Sequence, residues 1–217
     1  KTAAIIVEPV QGEGGVYVCS KEFLTGLRKL CDERDIALIL DEVQCGMGRT
    51  GTIMTYFQYD ILPDILCLAK GIGAGFPMGA FVANKKFAAA MEPGDHGSTY
   101  GGNPMAGQAC RTVFKILEDT KMIDHVQDIS EYLIEKLDDL QEAFPCIKER
   151  RGLGLMIGLE FDKPVKDIVK TCLDLGLIVV TAGPHVVRML PPFITTEKDV
   201  DQAIAILKEA IEKNLKI

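Results

Sequence analysis

The sequence lacks a long apolar run and has no block of basic residues. No stretch approaches the 18 or so apolar residues of a membrane-spanning helix, so we expect no such helix. The 24 basic and 31 acidic residues leave a net charge of −7. This balance argues against nucleic acid or an anionic membrane surface as the main partner.

The sequence also lacks the cysteine and histidine patterns of disulfide frameworks and metal sites. Its seven cysteines are odd in number, scattered, and never spaced as C-x-x-C. Cys31, Cys67 and Cys172 lie among apolar residues, and the three histidines are far apart. We therefore predict a protein of the reducing cytoplasm, with mostly inert thiols and no metal site.

The first residues do not begin with Met, and a strand-like apolar run starts almost at once. They contain a single basic residue and turn acidic by Glu8, unlike a signal peptide. We therefore expect a fragment of a longer cytoplasmic protein.

Two short apolar runs, at 36–40 and 65–69, each end at a charged residue. Asp41 and Glu42 follow the first run and Lys70 follows the second. Runs of five apolar residues bounded by polar residues are typical of buried strands, and the connection is long enough for a parallel crossover. Ligands bind at the carboxyl ends of strands in open parallel sheets. We therefore expect a carboxylate and an amine side by side at a cleft.

The alternation of strands and helices before residue 120 predicts an α/β fold with a mostly parallel sheet and helices on both faces. From about residue 120, a long amphipathic helix and a mixture of short strands and helices predict a small α+β unit. We therefore predict two domains, 1–119 and 120–217. Ser20 is expected to cap a helix whose apolar face contains Phe23, Leu24, Leu27, Leu30 and Cys31. Further predicted elements are strands at 3–7, 78–83, 147–150, 155–161, 178–180 and 186–190, irregular chain at 71–77, and helices at 104–118, 121–145, 165–175 and 197–214.

A lysine that directly follows a buried strand can act as a nucleophile or form a Schiff base, because a partly apolar cleft lowers the cost of losing its charge. The alternative is a solvated lysine that only ends the strand. A carboxylate such as Asp41 suits the ring nitrogen of pyridoxal phosphate (PLP), whose protonated ring accepts electrons from the substrate. For Asp41 the alternative is a helix cap or an ordinary ion pair.

The stretch 46–51, Gly-Met-Gly-Arg-Thr-Gly, matches the G-x-G-x-x-G pattern of dinucleotide sites. In such a site the glycines open a helix in the turn after the strand, and an acid follows about 20 residues later. Here Asp41 to Cys45 intervene, and Leu-Ala-Lys-Gly stands where the acid is expected. We therefore interpret 46–51 as a glycine-rich surface or cleft loop.

Taken together, several motifs resemble the class III PLP-dependent aminotransferases, and they occur in the family's order over essentially the whole chain. Within the family, the acetylornithine aminotransferase subfamily is the most similar, because of T-A-G-P-H-V-V-R at 181–188 and R-G-L-G-L at 151–155. The other motifs are L-I-L-D-E-V-Q-C-G-M-G-R-T-G at 38–51, P-D-I at 63–65, K-G at 70–71, E-P-V-Q-G-E-G-G at 8–15, G-S-T-Y-G-G-N-P at 97–104 and V-R-M-L-P-P at 187–192.

The resemblance implies a fold-type-I transferase and a set of cofactor-binding residues. Lys70 would bond to PLP and later carry the proton between the substrate carbon and the cofactor. Asp41 would hold the pyridine nitrogen, and Gln44 would bind the ring oxygen. Ser98 and Thr99 would bind the phosphate of the partner subunit's cofactor in a homodimer. The residues themselves leave open that Gln44 is a solvent-facing loop residue and that Ser98 and Thr99 only stabilise a turn.

The resemblance also implies substrate-binding residues. Arg188 would clamp the α-carboxylate of glutamate or 2-oxoglutarate, and Glu13 would pair with Arg188 when the substrate has no carboxylate there. Glu8 would support the site from behind. From the residues alone, Arg188 could instead neutralise a core carboxylate, and Glu13 could be an exposed loop acid.

The implied activity is ping-pong transfer of the amino group of N-acetylornithine to 2-oxoglutarate, a step of arginine biosynthesis. Ornithine, 4-aminobutyrate and succinyldiaminopimelate aminotransferases remain alternatives. Family members carry, N-terminal to the region present here, a phosphate-binding loop and an aromatic side chain that stacks on the cofactor. Since neither is in this sequence, a non-catalytic fragment remains a further alternative.

Overall fold

The structure, a computed structural model, describes residues 1–215. Within them the chain forms eight β-strands and six α-helices. The strands are β1 (Ala4–Val7), β2 (Ala37–Asp41), β3 (Ile65–Leu68), β4 (Ala80–Ala83), β5 (Ile147–Leu153), β6 (Met156–Phe161), β7 (Val180–Thr181) and β8 (Val186–Met189). The helices are α1 (Lys21–Arg34), α2 (Lys85–Ala88), α3 (Pro104–Asp119), α4 (Met122–Ala143), α5 (Lys166–Asp174) and α6 (Glu197–Leu215).

The chain divides into two compact units, and each is made of more than one segment. The first unit contains Lys1–Pro9, Cys19–Gly48 and Thr52–Lys121. The second unit contains Val10–Val18, Arg49–Gly51 and the residues from Met122 onward. Two short segments from the early part of the sequence thus pack with the C-terminal elements.

The first unit is built on a four-stranded sheet with the order β1-β2-β3-β4. The first three strands are parallel, with Ile39 of β2 opposite Ile6 of β1 and Ile65 of β3. The fourth strand runs antiparallel to β3. The predicted parallel pairing of the strands before Asp41 and Lys70 is therefore confirmed.

Helix α1 packs against β2 in the first unit. Ser20 caps it as predicted, because its hydroxyl accepts the Phe23 N–H at 3.1 Å. Leu24 and Cys31 are fully buried, but Phe23 and Leu30 are exposed, so the predicted apolar face was too wide. Leu24 and Cys31 are seven residues apart, about two helical turns, so their side chains lie on the same face of the helix.

The second unit is built on an antiparallel sheet with the order β5-β6-β8-β7. Helix α4 contributes the long amphipathic face that the sequence predicted, and α5 and α6 pack against each other. Its apolar core is contiguous, and the largest fully buried side chains in it are Leu133, Leu137, Leu155, Ile157, Leu159, Leu207 and Ile211.

Among the described residues, no helix is both long enough and apolar enough to cross a membrane.

Candidate active site

Asp41 and Lys70 lie at the carboxyl ends of two adjacent parallel strands in the first unit. Asp41 is the last residue of β2 and stands opposite Cys67 of β3. Lys70 lies three residues after Cys67, just past the end of β3, and is exposed. The half-buried Asp41 carboxylate accepts the Val43 N–H at 3.0 Å. The same edge of the sheet therefore presents a carboxylate and an amine.

The backbone at Lys70 is unusual. Its φ is 47°, in the left-handed region, and it begins a 3-10 helix over Lys70–Gly73. The irregular chain predicted directly after Lys70 is therefore a short helical turn. A Cβ added at Gly71 would lie 3.1 Å from the Cβ of Met47, so the loop after β2 closes onto the lysine turn.

Glu42 is a buried carboxylate to which the sequence assigned no role of its own. It is only 1% exposed, and its two oxygens accept the N–H groups of Thr55 at 2.6 Å and Tyr56 at 2.8 Å. Burial raises the pKa of Glu42 despite these hydrogen bonds. The Glu42 carboxylate thus ties the start of the loop that carries Gln44 to its end at Thr55 and Tyr56. The signal in the sequence was the pair of acids at 41–42 directly after a strand.

Gly46, the first of the glycines at 46–51, has a structural explanation that needs no nucleotide. A Cβ at Gly46 would lie 2.8 Å from the carbonyl oxygen of Glu42 and 3.0 Å from its side-chain oxygen. The segment 43–50 forms turns, and no helix opens at these glycines. Gln44, in the same turns, is half-buried.

Ser98 and Thr99 lie in a solvent-exposed stretch of the first unit. The carbonyl of Ser98 accepts the Gly101 N–H at 3.1 Å and closes a tight turn there. Phosphate binding by Ser98 and Thr99 stays a prediction. The supporting role of Glu8, a half-buried residue after β1, also stays a prediction.

Arg188 and Glu13 form a direct ion pair within the second unit. Arg188 lies on β8, and its Nη1 is 2.7 Å from Oε1 of Glu13. The same nitrogen donates to the Gly12 carbonyl at 2.8 Å. The arginine side chain is 9% exposed and the glutamate side chain 75%, so the cation is fixed while its carboxylate partner faces solvent. Such a carboxylate can be exchanged for one from a ligand.

Among residues 1–215, no group of three or more His, Cys, Asp or Glu side chains could hold a metal ion.

A model of the family described as aminotransferase class III matches residues 1–211. The chain belongs to the class III aminotransferase family. This agrees with the order of motifs in the sequence and with the fold of the first unit.

Acetylornithine aminotransferases are among the curated relatives of this chain. The one from Clostridium acetobutylicum is 47% identical over 213 residues, which cover 98% of this chain and 55% of that protein. The one from Methanocaldococcus jannaschii is 47% identical over 209 residues, which cover 96% of this chain and 52% of that protein. The chain thus spans about half the length of the curated relatives it matches.

Two solved structures show the same fold. The N-acetylornithine aminotransferase of Stenotrophomonas maltophilia aligns with a TM-score of 0.88 and 36% identity, over 99% of this chain and 57% of that one. The ornithine aminotransferase of Plasmodium yoelii aligns with a TM-score of 0.91 and 32% identity, over 97% of this chain and 57% of that one. The likeness extends to both compact units, since nearly the whole chain is covered.

Proposed function

We propose that this chain carries the lysine-bearing part of an aminotransferase that moves the amino group of N-acetylornithine to 2-oxoglutarate. The observation that carries this proposal is the pair Asp41 and Lys70 at the carboxyl ends of adjacent parallel strands. The choice of N-acetylornithine is supported by the acetylornithine aminotransferases that are 42–47% identical to the chain.

The residues at this edge of the sheet fit PLP. A carboxylate (Asp41) suits a protonated ring nitrogen, an amide (Gln44) suits the ring oxygen, and an amine (Lys70) suits the carbonyl carbon. When bound, PLP supplies an electron-accepting ring that carries the amino group from one substrate to the other. Ser98 and Thr99 would give hydroxyl and N–H donors to the phosphate held by a second copy of the chain in a homodimer.

Asp41 and Lys70 would then have different roles in the reaction. The Asp41 carboxylate would keep the ring nitrogen protonated through a charge-assisted hydrogen bond. The Lys70 Nζ would take the proton from the substrate carbon that bears the amino group and return it later. The left-handed backbone at Lys70 and the contact between Gly71 and Met47 fix where that amine begins.

The ion pair of the second unit would handle the substrate carboxylate. Arg188 is a planar donor whose fork matches a carboxylate, so it would bind 2-oxoglutarate or glutamate. Glu13 would neutralise Arg188 while a substrate without a carboxylate at that position is bound. One arginine could thereby serve both halves of a ping-pong reaction.

The test is a comparison of amino donors with 2-oxoglutarate as acceptor, using protein loaded with PLP. We expect kcat/KM for N-acetylornithine to exceed that for ornithine, 4-aminobutyrate and succinyldiaminopimelate. Preference for another donor would contradict the proposed substrate, and absence of transfer from every donor would contradict the activity of this chain. Ornithine is the second candidate, because a TM-score of 0.91 relates the chain to an ornithine aminotransferase.

A further inference from the structure

Arg151, Gly158 and Arg188 form one row across three strands of the second unit. Arg151 on β5 is directly opposite Gly158 on β6, and Gly158 is directly opposite Arg188 on β8. Side chains at directly opposite positions project from the same face of a sheet. Two arginines therefore stand on one face, with a glycine between them.

The segment Val10–Val18, hereafter the Glu13 segment, contacts all three positions of this row. At one end, Arg188 donates to the carbonyl of Gly12 at 2.8 Å and pairs with Glu13 at 2.7 Å. At the other end, Nε of Arg151 donates to the carbonyl of Gly15 at 2.6 Å.

Val16 and Tyr17 complete the contact between the Glu13 segment and the row. A Cβ at Gly158 would lie 3.0 Å from Cβ and 3.1 Å from Cγ2 of Val16, so only glycine leaves room for that valine. The guanidinium of Arg151 lies 4.0 Å from the centroid of the Tyr17 ring, within the range of a cation–π contact. The segment is therefore seated on the row along most of its length.

The conformation of the Glu13 segment depends on this seating. Val16 is fully buried and has a φ of 59°, which is a strained conformation for a β-branched residue. Such strain persists only where the surrounding packing holds it. Within the segment, the Gln11 N–H donates to the Tyr17 carbonyl at 2.9 Å, and Val10 bridges to Val18. The Glu13 segment is therefore a closed turn that is held in place by its contacts with Arg151, Gly158 and Arg188.

The charged Arg151 guanidinium also forms ion pairs with two carboxylates. Its Nη1 donates to Glu149 at 2.7 Å and also to Glu160. Burial lowers the pKa of Arg151, but the hydrogen bonds to Glu160 and Glu149 more than offset this and leave it above its ordinary value. The buried cation is therefore a permanent anchor for the Gly15 carbonyl.

We propose that Arg151 and Gly158 are positioning residues that hold Glu13 against Arg188 and so set how readily Arg188 accepts a substrate carboxylate. The inference rests on the proposed role of Arg188 and Glu13. With the segment seated, only the exposed Glu13 side chain has to move when a substrate carboxylate takes its place. With the segment loosened, Glu13 competes less well, and the Arg188 guanidinium is more often left without the Glu13 carboxylate as its partner.

Arg151→Met is the first test, and Arg150→Met is its matched control. Arg150 is the neighbour of Arg151 on β5, so its side chain leaves the opposite face, and it pairs with Asp138. In Arg151→Met we expect amide hydrogen exchange at Gln11 to become about tenfold faster or more, since one charge-assisted hydrogen bond to the segment is lost. Exchange in helix α4 and in Arg150→Met should match the original protein. Unchanged exchange at Gln11 in Arg151→Met would overturn the proposal.

Arg151→Lys guards against a variant that merely unfolds. Lysine keeps a cation for Glu149 and Glu160, but a single ammonium cannot at the same time replace the bond from Nε of Arg151 to the Gly15 carbonyl. We expect exchange at Gln11 to fall between the original protein and Arg151→Met. If Arg151→Lys leaves Gln11 as protected as in the original protein, the guanidinium is not the anchor and the proposal fails.

Kinetics of the PLP-loaded protein give a second readout that a purely structural role would not produce. In Arg151→Lys we expect KM for N-acetylornithine to rise about tenfold, KM for 2-oxoglutarate to stay equal or fall, and kcat to change by much less than the KM for N-acetylornithine. Glu13→Gln should reproduce this split, and the double variant should add little to it. An equal rise of both KM values would overturn the proposal. Absence of turnover in the original protein would contradict the proposed function, while the exchange measurements would still decide the positioning of the segment.

Discussion

Lys70 stands at a backbone position that glycine would occupy more easily. Its φ of 47° follows the extended Ala69, so the chain turns sharply where the strand before it ends. A left-handed residue with a side chain costs about 1–2 kcal/mol relative to the right-handed form. The strained backbone is consistent with a functional role for the Lys70 amine, because strained residues cluster at functional sites.

Comparison of Lys70→Gly with Lys70→Ala isolates this backbone cost, because both variants lose the amine. We expect the glycine variant to be more stable than the alanine variant by about 1 kcal/mol, since glycine adopts positive φ without steric strain. Urea unfolding of the two proteins at the same pH measures the difference. An alanine variant as stable as the glycine variant would show that the turn relaxes and stores no strain.

Asp64 joins three strands of the first unit through one side chain and its own backbone. Its carboxylate accepts the Leu38 N–H at 2.8 Å, Nη1 of Arg28 at 2.9 Å and the amide of Asn84 at 2.7 Å. Its backbone N–H donates to Leu38, and its carbonyl accepts the Asn84 N–H. The register of β2, β3 and β4 is therefore fixed at the end of the sheet away from Asp41.

Asp64→Asn should lower the free energy of unfolding by about 2 kcal/mol at pH 7, because an amide cannot accept all three charge-assisted bonds. Burial raises the pKa of Asp64, but the hydrogen bonds from Leu38 and Arg28 lower this pKa by more than burial raises it, so the net shift is downward. The stabilisation is therefore present above the ordinary aspartate pKa of about 3.9 and is lost as the pH falls through the lowered value.

Urea unfolding at pH 7 and near pH 3 checks this dependence on pH. The difference between Asp64→Asn and the original protein should shrink at the lower pH. Asp60→Asn is the control, because the exposed pair of Asp60 with Lys21 is expected to contribute less than about 1 kcal/mol. A loss that is the same at both pH values would mean that the charge of Asp64 contributes nothing.

At the level of elements, the sequence predicted most of the strands and helices because their apolar periodicity and caps are local properties. Ser20, Pro104 and the apolar face of α4 are examples. It did not predict the exposure of Phe23, which depends on what packs against α1. It also missed the 3-10 turn at Lys70, because a lysine with positive φ is the opposite of what local preference indicates.

At the level of the whole molecule, the assignment of short segments to the second unit could not be read from the sequence. The ion pair between Glu13 and Arg188 joins residues 175 positions apart, and the bond from Arg151 to Gly15 spans 136 positions. Family resemblance suggested the first pair, but nothing in local composition indicates the second. Contacts of this separation arise from tertiary packing, which periodicity does not encode.

The alignment with the acetylornithine aminotransferase from Clostridium acetobutylicum covers 98% of this chain and 55% of that protein. The residues proposed to carry the chemistry, Asp41, Gln44, Lys70, Arg188 and Glu13, all lie within this part.

The central claim is that Lys70 is the amine that bonds to PLP, and its most direct test is chemical labelling. The protein is incubated with PLP, reduced with borohydride, digested, and mapped by peptide mass spectrometry, with Lys70→Ala as the matched control. We expect the pyridoxyl mass on Lys70 in the original protein and no comparable label in the control. A label on another lysine, or equal labelling of both proteins, would contradict the account.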